Sequence, residues 1–330
     1  MARTVPCLTS LRNAYPEAQI DWLVGSAFVD AVRAHPALTG VVPFDRKKKS
    51  TVWPLLGRLR SAKYDLVFDL QGLLRSGFYS WGTRAATRVG YANAREFGWL
   101  GYNHRHRIDP TLHAVPRMTA LLSAEGIGVA NNLSLYVPTE DTAWAEAFAS
   151  ENQLTPGRYA CVAPTAQWGC KCWPLPRYVE LTRRLLERSD IDHVVVLAAP
   201  HEKPAVEAGF KELDASLHKR VVVPTTSVGQ LMALIRDARL LLCNDSAPLH
   251  LAVGLDTPTV SLFGPTDPAL VGPPPAEIVG AEFASKHRVL RSPSADGQTF
   301  NYRAHREDNT LIAELSSNDV WSAVDDALQP

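Results

Sequence analysis

Leu240 to Pro268, LLLCNDSAPLHLAVGLDTPTVSLFGPTDP, decides how the rest of the chain is read. Leu240 to Cys243 is an apolar run of strand length, and Asn244 and Asp245 break it. A helical pattern follows from Pro248 to Gly254, then a second apolar run, Thr259 to Phe263, which Gly264-Pro265-Thr266 ends. Strand, turn, helix, strand, turn places both turns after the carboxyl end of a strand, the edge where open parallel sheets bind ligands. Asp245 or Ser246 can cap the helix, and the amides behind them then point outward as an anion site. The segment suits the diphosphate of a nucleotide-activated donor.

Upstream, the same alternation repeats. Tyr159 to Ala163, His193 to Leu197 and Val221 to Val223 read as strands, and Asp141 to Glu151, Pro176 to Glu187 and Val228 to Asp237 as helices. Further back, strands are expected at Gln19 to Val24, Val41 to Phe44, Tyr64 to Leu70 and Arg88 to Tyr91. Helices are expected at Arg3 to Ala14, Ala27 to Ala34, Trp53 to Ser61, Leu73 to Trp81 and Ala114 to Glu125. After Gly272 only Asp319 to Leu328 again has a helical pattern. Two series of alternating strands and helices imply an α/β fold of two Rossmann-like, doubly wound domains facing a cleft. The polar stretch from Val129 to Glu140 places the boundary between residues 1–138 and 139–330.

Bulk properties narrow the function class. Lys plus Arg and Asp plus Glu both number 34, so no global charge argues for nucleic acid. Arg46-Lys47-Lys48-Lys49 and His104-Arg105-His106-Arg107 are local basic clusters, and taken singly each is better explained as a solvated loop than as a partner site. Five cysteines at irregular spacing fit a reducing compartment, and Cys170-x-Cys172 has no second pair that would make a zinc site. No run of eighteen apolar residues and no basic-then-apolar leader is present, which points to a cytoplasmic protein able to work at a membrane surface.

Four loops of the second domain fall at the carboxyl edge of its strands: Thr165 to Lys171, Ala199 to Glu202, Thr225-Thr226 and Asp245 to His250. Lys171 can meet a phosphate as a point charge, and Glu202 can accept from a ribose diol. The amides from Ser246 onward suit a diphosphate, and His250 lies one turn along the same helix face. Singly, each has a plainer reading as a cap, a satisfied histidine or a surface charge; the argument is their joint position. Asp190-Ile191-Asp192 has a metal-binding spacing but precedes a strand, on the opposite edge, and reads as a solvated turn. Gly72 and Gly77 lack the spacing of a dinucleotide fingerprint.

With these pieces in view, the chain resembles glycosyltransferase family 9, the lipopolysaccharide heptosyltransferases. The resemblance rests on PCLTSLRNAYPEAQIDWLV, YDLVFDLQGLLRSG, RVGYANARE, HAVPR, KCWPLPRYVEL and NDSAPLHLAVGLDTPTVSLFGPTDP, in order along nearly the whole chain. It implies a GT-B type, inverting transferase with no metal and no cofactor beyond its donor, ADP-heptose or a related nucleotide sugar. It implies donor contacts at Thr165, Ala166, Lys171, Glu202, Thr226, Asp245, Ser246, Ala247 and His250, with Lys171 and Asp245 supporting catalysis. Gln71, Arg95 and His113 match acceptor-side positions of the first domain. The implied acceptor is an acidic glycolipid of the lipid A–Kdo type, met at the cytoplasmic face of the inner membrane, where the basic clusters would find phosphates and carboxylates. Ala166 lacks a hydroxyl that some members have, and Ala247 stands where Gly is frequent and requires ordinary helical backbone.

The start departs from the family pattern. Members begin with a strand and a Ser/Gly-Asp loop that carries the catalytic base, whereas this chain enters at the following helix. The expectation is a first domain without its central strand, a truncated reading of a longer gene product, and no catalytic base among these residues. Alternatives are a non-catalytic nucleotide-sugar-binding homologue and a GT-B enzyme of another class, such as a nucleotide-sugar epimerase, against which the first-domain matches count.

Overall fold

The computed structural model describes residues 2–298, 300 and 306–329. Contacts divide the chain into two units, one from Arg3 to Leu133 and one from Ser134 onward. The first contains β1 (Asp21–Gly25), β2 (Gly40–Phe44), β3 (Leu66–Phe68), β4 (Thr87–Tyr91) and β5 (His104–His106). All pair in parallel, but in two separate sheets, β1-β2 and β3-β4-β5.

The two sheets approach each other on the β1 and β3 sides. Tyr64 hydroxyl donates to Asp21 at 2.6 Å, and Leu23 and Tyr64 share an apolar cluster with Val42, Leu56 and Tyr79. In a doubly wound order of 3-2-1-4-5-6, the unfilled place between β1 and β3 is that of strand 1. Among the described residues no strand fills that place, a gap that divides the sheet. Its consequence is visible in burial: every residue of β3 is half-buried, and of β1 only Val24 is fully buried. Parallel sheets otherwise bury both faces of their strands.

The helix Val5–Ala14 closes one side of this unit. Cys7 packs with Val89, Leu121 and Leu122, which belong to β4 and the helix Ala114–Ala124. From its last turn, Arg12 donates to the carbonyls of Pro16, Ala18 and Ala37 and so ties the turn before β1 to the turn before β2. Three expectations change here. Ala27 to Ala34 forms only a short 3-10 turn, Ser26–Phe28, followed by turns. The strand expected from Tyr64 to Leu70 shrinks to three residues: Asp69 amide still donates to Val89 carbonyl of β4, but its side chain turns the chain by accepting from Gln71 and Gly72 amides. β5 lies in a stretch expected to be loop, since its HRH sequence carries no apolar signal.

The second unit holds β6 (Tyr159–Ala163), β7 (His193–Val196), β8 (Val221–Val222), β9 (Leu240–Asn244), β10 (Thr259–Phe263) and β11 (His287–Arg291). They form one parallel sheet of order β11-β10-β9-β6-β7-β8, the complete doubly wound order 3-2-1-4-5-6 read from the other edge. β6, β9 and β10 are buried at every position. Their apolar runs pack on Tyr178, Leu181 and Leu185 of the helix Leu175–Glu187, spaced three and four apart along one face. β11 was not expected: Arg288 and Arg291 suit an edge strand, and with His287 they hide it from an apolar-run search.

Candidate functional site

The direction of winding reverses between β6 and β9, the topological switch point of the sheet. The loops leaving these two strands are tied together by one buried side chain. Asn244, the last residue of β9, donates to Pro164 carbonyl at 2.8 Å and accepts from Trp173 amide at 3.1 Å and Tyr178 hydroxyl at 2.9 Å. A polar residue ending an apolar run was the available signal for this role.

Next in the chain, Asp245 holds the centre of the site with its side chain only 7 % exposed. Lys171, brought by the loop after β6, donates to its Oδ2 at 2.6 Å, and Thr266, from the turn after β10, donates at 2.8 Å. His250 Nε2 lies 3.9 Å from the other oxygen. Burial opposes ionisation of Asp245, but Lys171 above all, with His250 and Thr266, outweighs it and holds the carboxyl below its ordinary range. Thr266, at the end of the Gly264-Pro265-Thr266 turn, is thus a partner of Asp245.

Ser246 occupies the N-cap position of the helix Ala247–Gly254, yet neither it nor Asp245 caps the helix through its side chain. Asp245 is turned to Lys171 instead. Ser246 Oγ is shielded from solvent and finds no hydrogen-bond partner among the described residues. The first-turn amides have no intrahelical acceptor, and Pro248 has none to offer. Ala247 opens the helix, outside the set of positive-φ residues, so alanine costs nothing there. A hydroxyl donor, a helix amino-terminus and an ammonium 2.6 Å from its carboxylate therefore stand together at the switch point.

A second cross-link joins the β6 and β7 loops. Glu202 Oε2 accepts from Thr165 hydroxyl at 2.8 Å and Ala199 amide at 3.0 Å. Its Oε1 has the exposed His201 ring at 4.0 Å. Ala166 is half-buried in the same loop, and its carbonyl accepts from the Cys172 thiol. Thr226 follows β8, three strands from β9, and precedes the capping box of Ser227 and Gln230. Thus Lys171, Asp245, Ser246, Ala247 and His250 form one group, Thr165 and Glu202 an adjoining one, and Thr226 lies further along the edge. Asp190 and Asp192, on the opposite edge, are taken up by Arg188, Arg239 and Arg158.

In the first unit, Gln71 and Arg95 are exposed and come together through Arg95 amide donating to Gly72 carbonyl at 3.0 Å. Asp69, whose only sequence signal is a polar residue near the end of an apolar run, shapes that turn: its Oδ1 takes Gln71 and Gly72 amides and its Oδ2 the Tyr102 hydroxyl at 2.5 Å. His113 is buried, and its Nδ1 accepts from Val115 amide as the cap of the helix Ala114–Ala124.

A parallel sheet that gathers a cation and a helix amino-terminus at its switch point belongs to the nucleotide- and phosphate-binding α/β class. The sequence profile of glycosyltransferase family 9 (heptosyltransferase) matches residues 52–292. The chain belongs to this family and is a glycosyltransferase. Lipopolysaccharide heptosyltransferase 1 of Pseudomonas aeruginosa is 30 % identical over 288 residues, 82 % of this chain and 76 % of the relative. The solved Escherichia coli ADP-heptose lipopolysaccharide heptosyltransferase II superposes with a TM-score of 0.78 at 20 % identity, covering 99 % and 95 % of the two chains. An E. coli heptosyltransferase solved with ADP gives 0.73 at 24 %, with 99 % and 95 % covered. The fold is of the GT-B type. Among the described residues, no helix is long and apolar enough to cross a membrane.

Proposed function

We propose that this chain transfers a heptose, or a related sugar, from an ADP-sugar to the lipopolysaccharide core, inverting the anomeric centre without a metal. The observation that carries the proposal is the Lys171–Asp245 pair beside the unpartnered Ser246 hydroxyl at the head of the helix Ala247–Gly254. As the bond from the anomeric carbon to the diphosphate breaks, charge grows on the departing oxygen. Lys171 and the helix amides are placed to stabilise that charge. Ser246 hydroxyl donates to the same group, and His250 adds a donor one turn along.

Thr165, Ala166, Glu202 and Thr226 complete the donor set, Glu202 through the carboxylate oxygen not used by Thr165. On the acceptor side, exposed Gln71 and Arg95 meet the glycolipid, a lipid A–Kdo type molecule at the cytoplasmic face of the inner membrane. His113 serves by fixing the helix behind them. The names of the relatives, one a lipopolysaccharide heptosyltransferase and one solved with ADP, support this substrate class.

Calorimetry with ADP, followed by transfer from ADP-heptose to a lipid A–Kdo acceptor, tests the reading. Binding lost in Lys171→Ala and Ser246→Ala is the expected result. Full ADP affinity in both variants would remove the donor-site assignment. One observation favours a second reading, a donor-binding homologue without transfer: the split of the first unit into two sheets. Tight ADP binding with no transfer and no donor hydrolysis would select it.

A further inference from the structure

The first unit carries an apolar surface that its own core does not use. Leu74 and Trp81, on the helix Leu74–Thr83, are 52 % and 53 % exposed; Phe97, just before the adjoining 3-10 turn Gly98–Gly101, and Leu100, within it, are 67 % and 59 % exposed. With Phe78 they line a groove of about 230 Å³. Scattered exposed leucines need no explanation, but a contiguous aromatic and leucine cluster does.

The surface is built rather than left over. The turn Gly98–Gly101 lies directly on the helix through three glycines. A Cβ on Gly77 would meet Gly98 carbonyl at 2.2 Å, one on Gly98 would meet Leu73 carbonyl at 2.7 Å, and one on Gly101 would meet Gly77 carbonyl at 2.1 Å. Backbone against backbone makes a stiff platform under Phe97 and Leu100. Glu96 and Phe97 both adopt left-handed backbone, with φ of 56° and 62°. For two successive non-glycine residues this is unfavourable, and a phenyl ring left 67 % exposed packs too little to offset it.

Charge identifies what covers the surface. Between Gln71 and Arg107 the sequence has six arginines and a single carboxylate, Glu96. Arg84 is exposed at the end of the helix that presents Trp81, and exposed Arg105 stacks its guanidinium 4.9 Å from the ring of Trp99, within the turn. A two-fold contact with a second copy would set this arginine-rich surface against itself. Aromatic and leucine side chains beside exposed arginines instead match the boundary between acyl chains and anionic headgroups.

We propose that the groove between the helix Leu74–Thr83 and the turn Gly98–Gly101 docks the protein on an anionic lipid bilayer, with Trp81, Phe97 and Leu100 inserted. For its purpose the inference rests on the glycolipid acceptor proposed above; the docking itself is measured without it. The full chain is sedimented with vesicles of phosphatidylethanolamine and phosphatidylglycerol, and with phosphatidylcholine alone. Binding to the anionic vesicles is expected, roughly tenfold or more weaker on phosphatidylcholine and in Arg84→Gln/Arg105→Gln, and equally weakened in Phe97→Ser/Leu100→Ser.

The serine variant should keep its ADP affinity and its transfer to a deacylated, soluble acceptor. Brominated lipids give a second readout on a barely altered chain: they should quench tryptophan emission, and Trp81→Phe should lose the quenched fraction. Failure of the wild type to bind, equal binding by wild type and serine variant, or sedimentation as a dimer that the serine substitutions dissolve would each overturn the proposal. Vesicle binding that follows this pattern in a protein with no transfer activity would leave the docking surface standing and remove the proposed reaction alone.

Discussion

Replacing Lys171 by methionine tests whether the centre of the site is an electrostatic unit. The substitution keeps much of the side chain's apolar length and removes the ammonium that donates to Asp245 at 2.6 Å, in a pair whose side chains are 14 % and 7 % exposed. Breaking a buried pair from one side costs ~3–5 kcal/mol, because the remaining charge has lost its counterion. Thr266 and His250 stay beside Asp245, which holds the expected cost near the lower limit, about 3 kcal/mol. For a unit of this size that is a drop in Tm of roughly 6–12 °C. The pH dependence should change sign. In the wild type the Asp245 carboxyl is depressed, so its stabilisation is present above the unfolded value and is lost as pH falls through the folded one. Without Lys171, burial becomes the larger influence and raises it, so stability now falls as pH rises through the carboxylate range. Urea unfolding of wild type, Lys171→Met, Asp245→Asn and the double variant, repeated from about pH 4 to about pH 8, measures both effects. The double variant should be at least about 2 kcal/mol more stable than the sum of the single losses predicts. Single losses below about 0.5 kcal/mol that simply add would refute the coupled pair.

Asn244→Ala should cost about 3 kcal/mol or more in the same assay, since it strands Pro164 carbonyl, Trp173 amide and Tyr178 hydroxyl in a buried place. His287 is held neutral by burial, its pKa lowered to about 4. Between that value and its unfolded value near 6.5 the unfolded chain binds the extra proton, so folding stability falls on acidification through this window. His287→Gln should flatten the slope, and an unchanged slope would count against the buried neutral ring. Ser227→Ala removes one half of a capping box at the helix Val228–Arg236 and should cost about 1 kcal/mol by thermal unfolding, with ADP affinity unchanged.

How much of this could be read in advance differs between the two units. In the second, the strands are apolar runs with wholly buried positions, and Tyr159–Ala163 and Thr259–Phe263 lie where the sequence puts them. Periodicity works there because burial on both faces leaves no other composition possible. In the first unit the strands are short and half-buried, so Leu66–Phe68 was drawn too long and His104–His106 was missed. The loops of the donor edge were legible as polar breaks after strands. What they do to one another was not. Lys171 and Asp245 lie 74 residues apart in sequence, and only the β6–β9 pairing brings them together. Asp245 read as a helix cap because Asp before a helical pattern usually is one. In the fold the lysine claims it.

That reassignment sets up a contest between charge and position at the phosphate site. Asp245 places a negative charge beside a site for an anion, so electrostatics alone predicts that Asp245→Asn tightens ADP binding. Position predicts the opposite. Asp245 holds the Lys171 ammonium at 2.6 Å and is itself fixed by Thr266 at 2.8 Å, so the long lysine side chain is ordered before the ligand arrives. Without that anchor the lysine regains rotamer freedom worth up to about 2 kcal/mol, and ligand binding must then supply the ordering. The expected net result is a weaker complex, by about threefold to tenfold, after the gain from removing the nearby charge is subtracted. Calorimetry at low and high salt separates the two contributions, because the charge effect is screened and the ordering cost is not. If Asp245→Asn binds ADP more tightly than wild type at both salt concentrations, the carboxylate does not serve the lysine, and the pair would be a support of the fold alone.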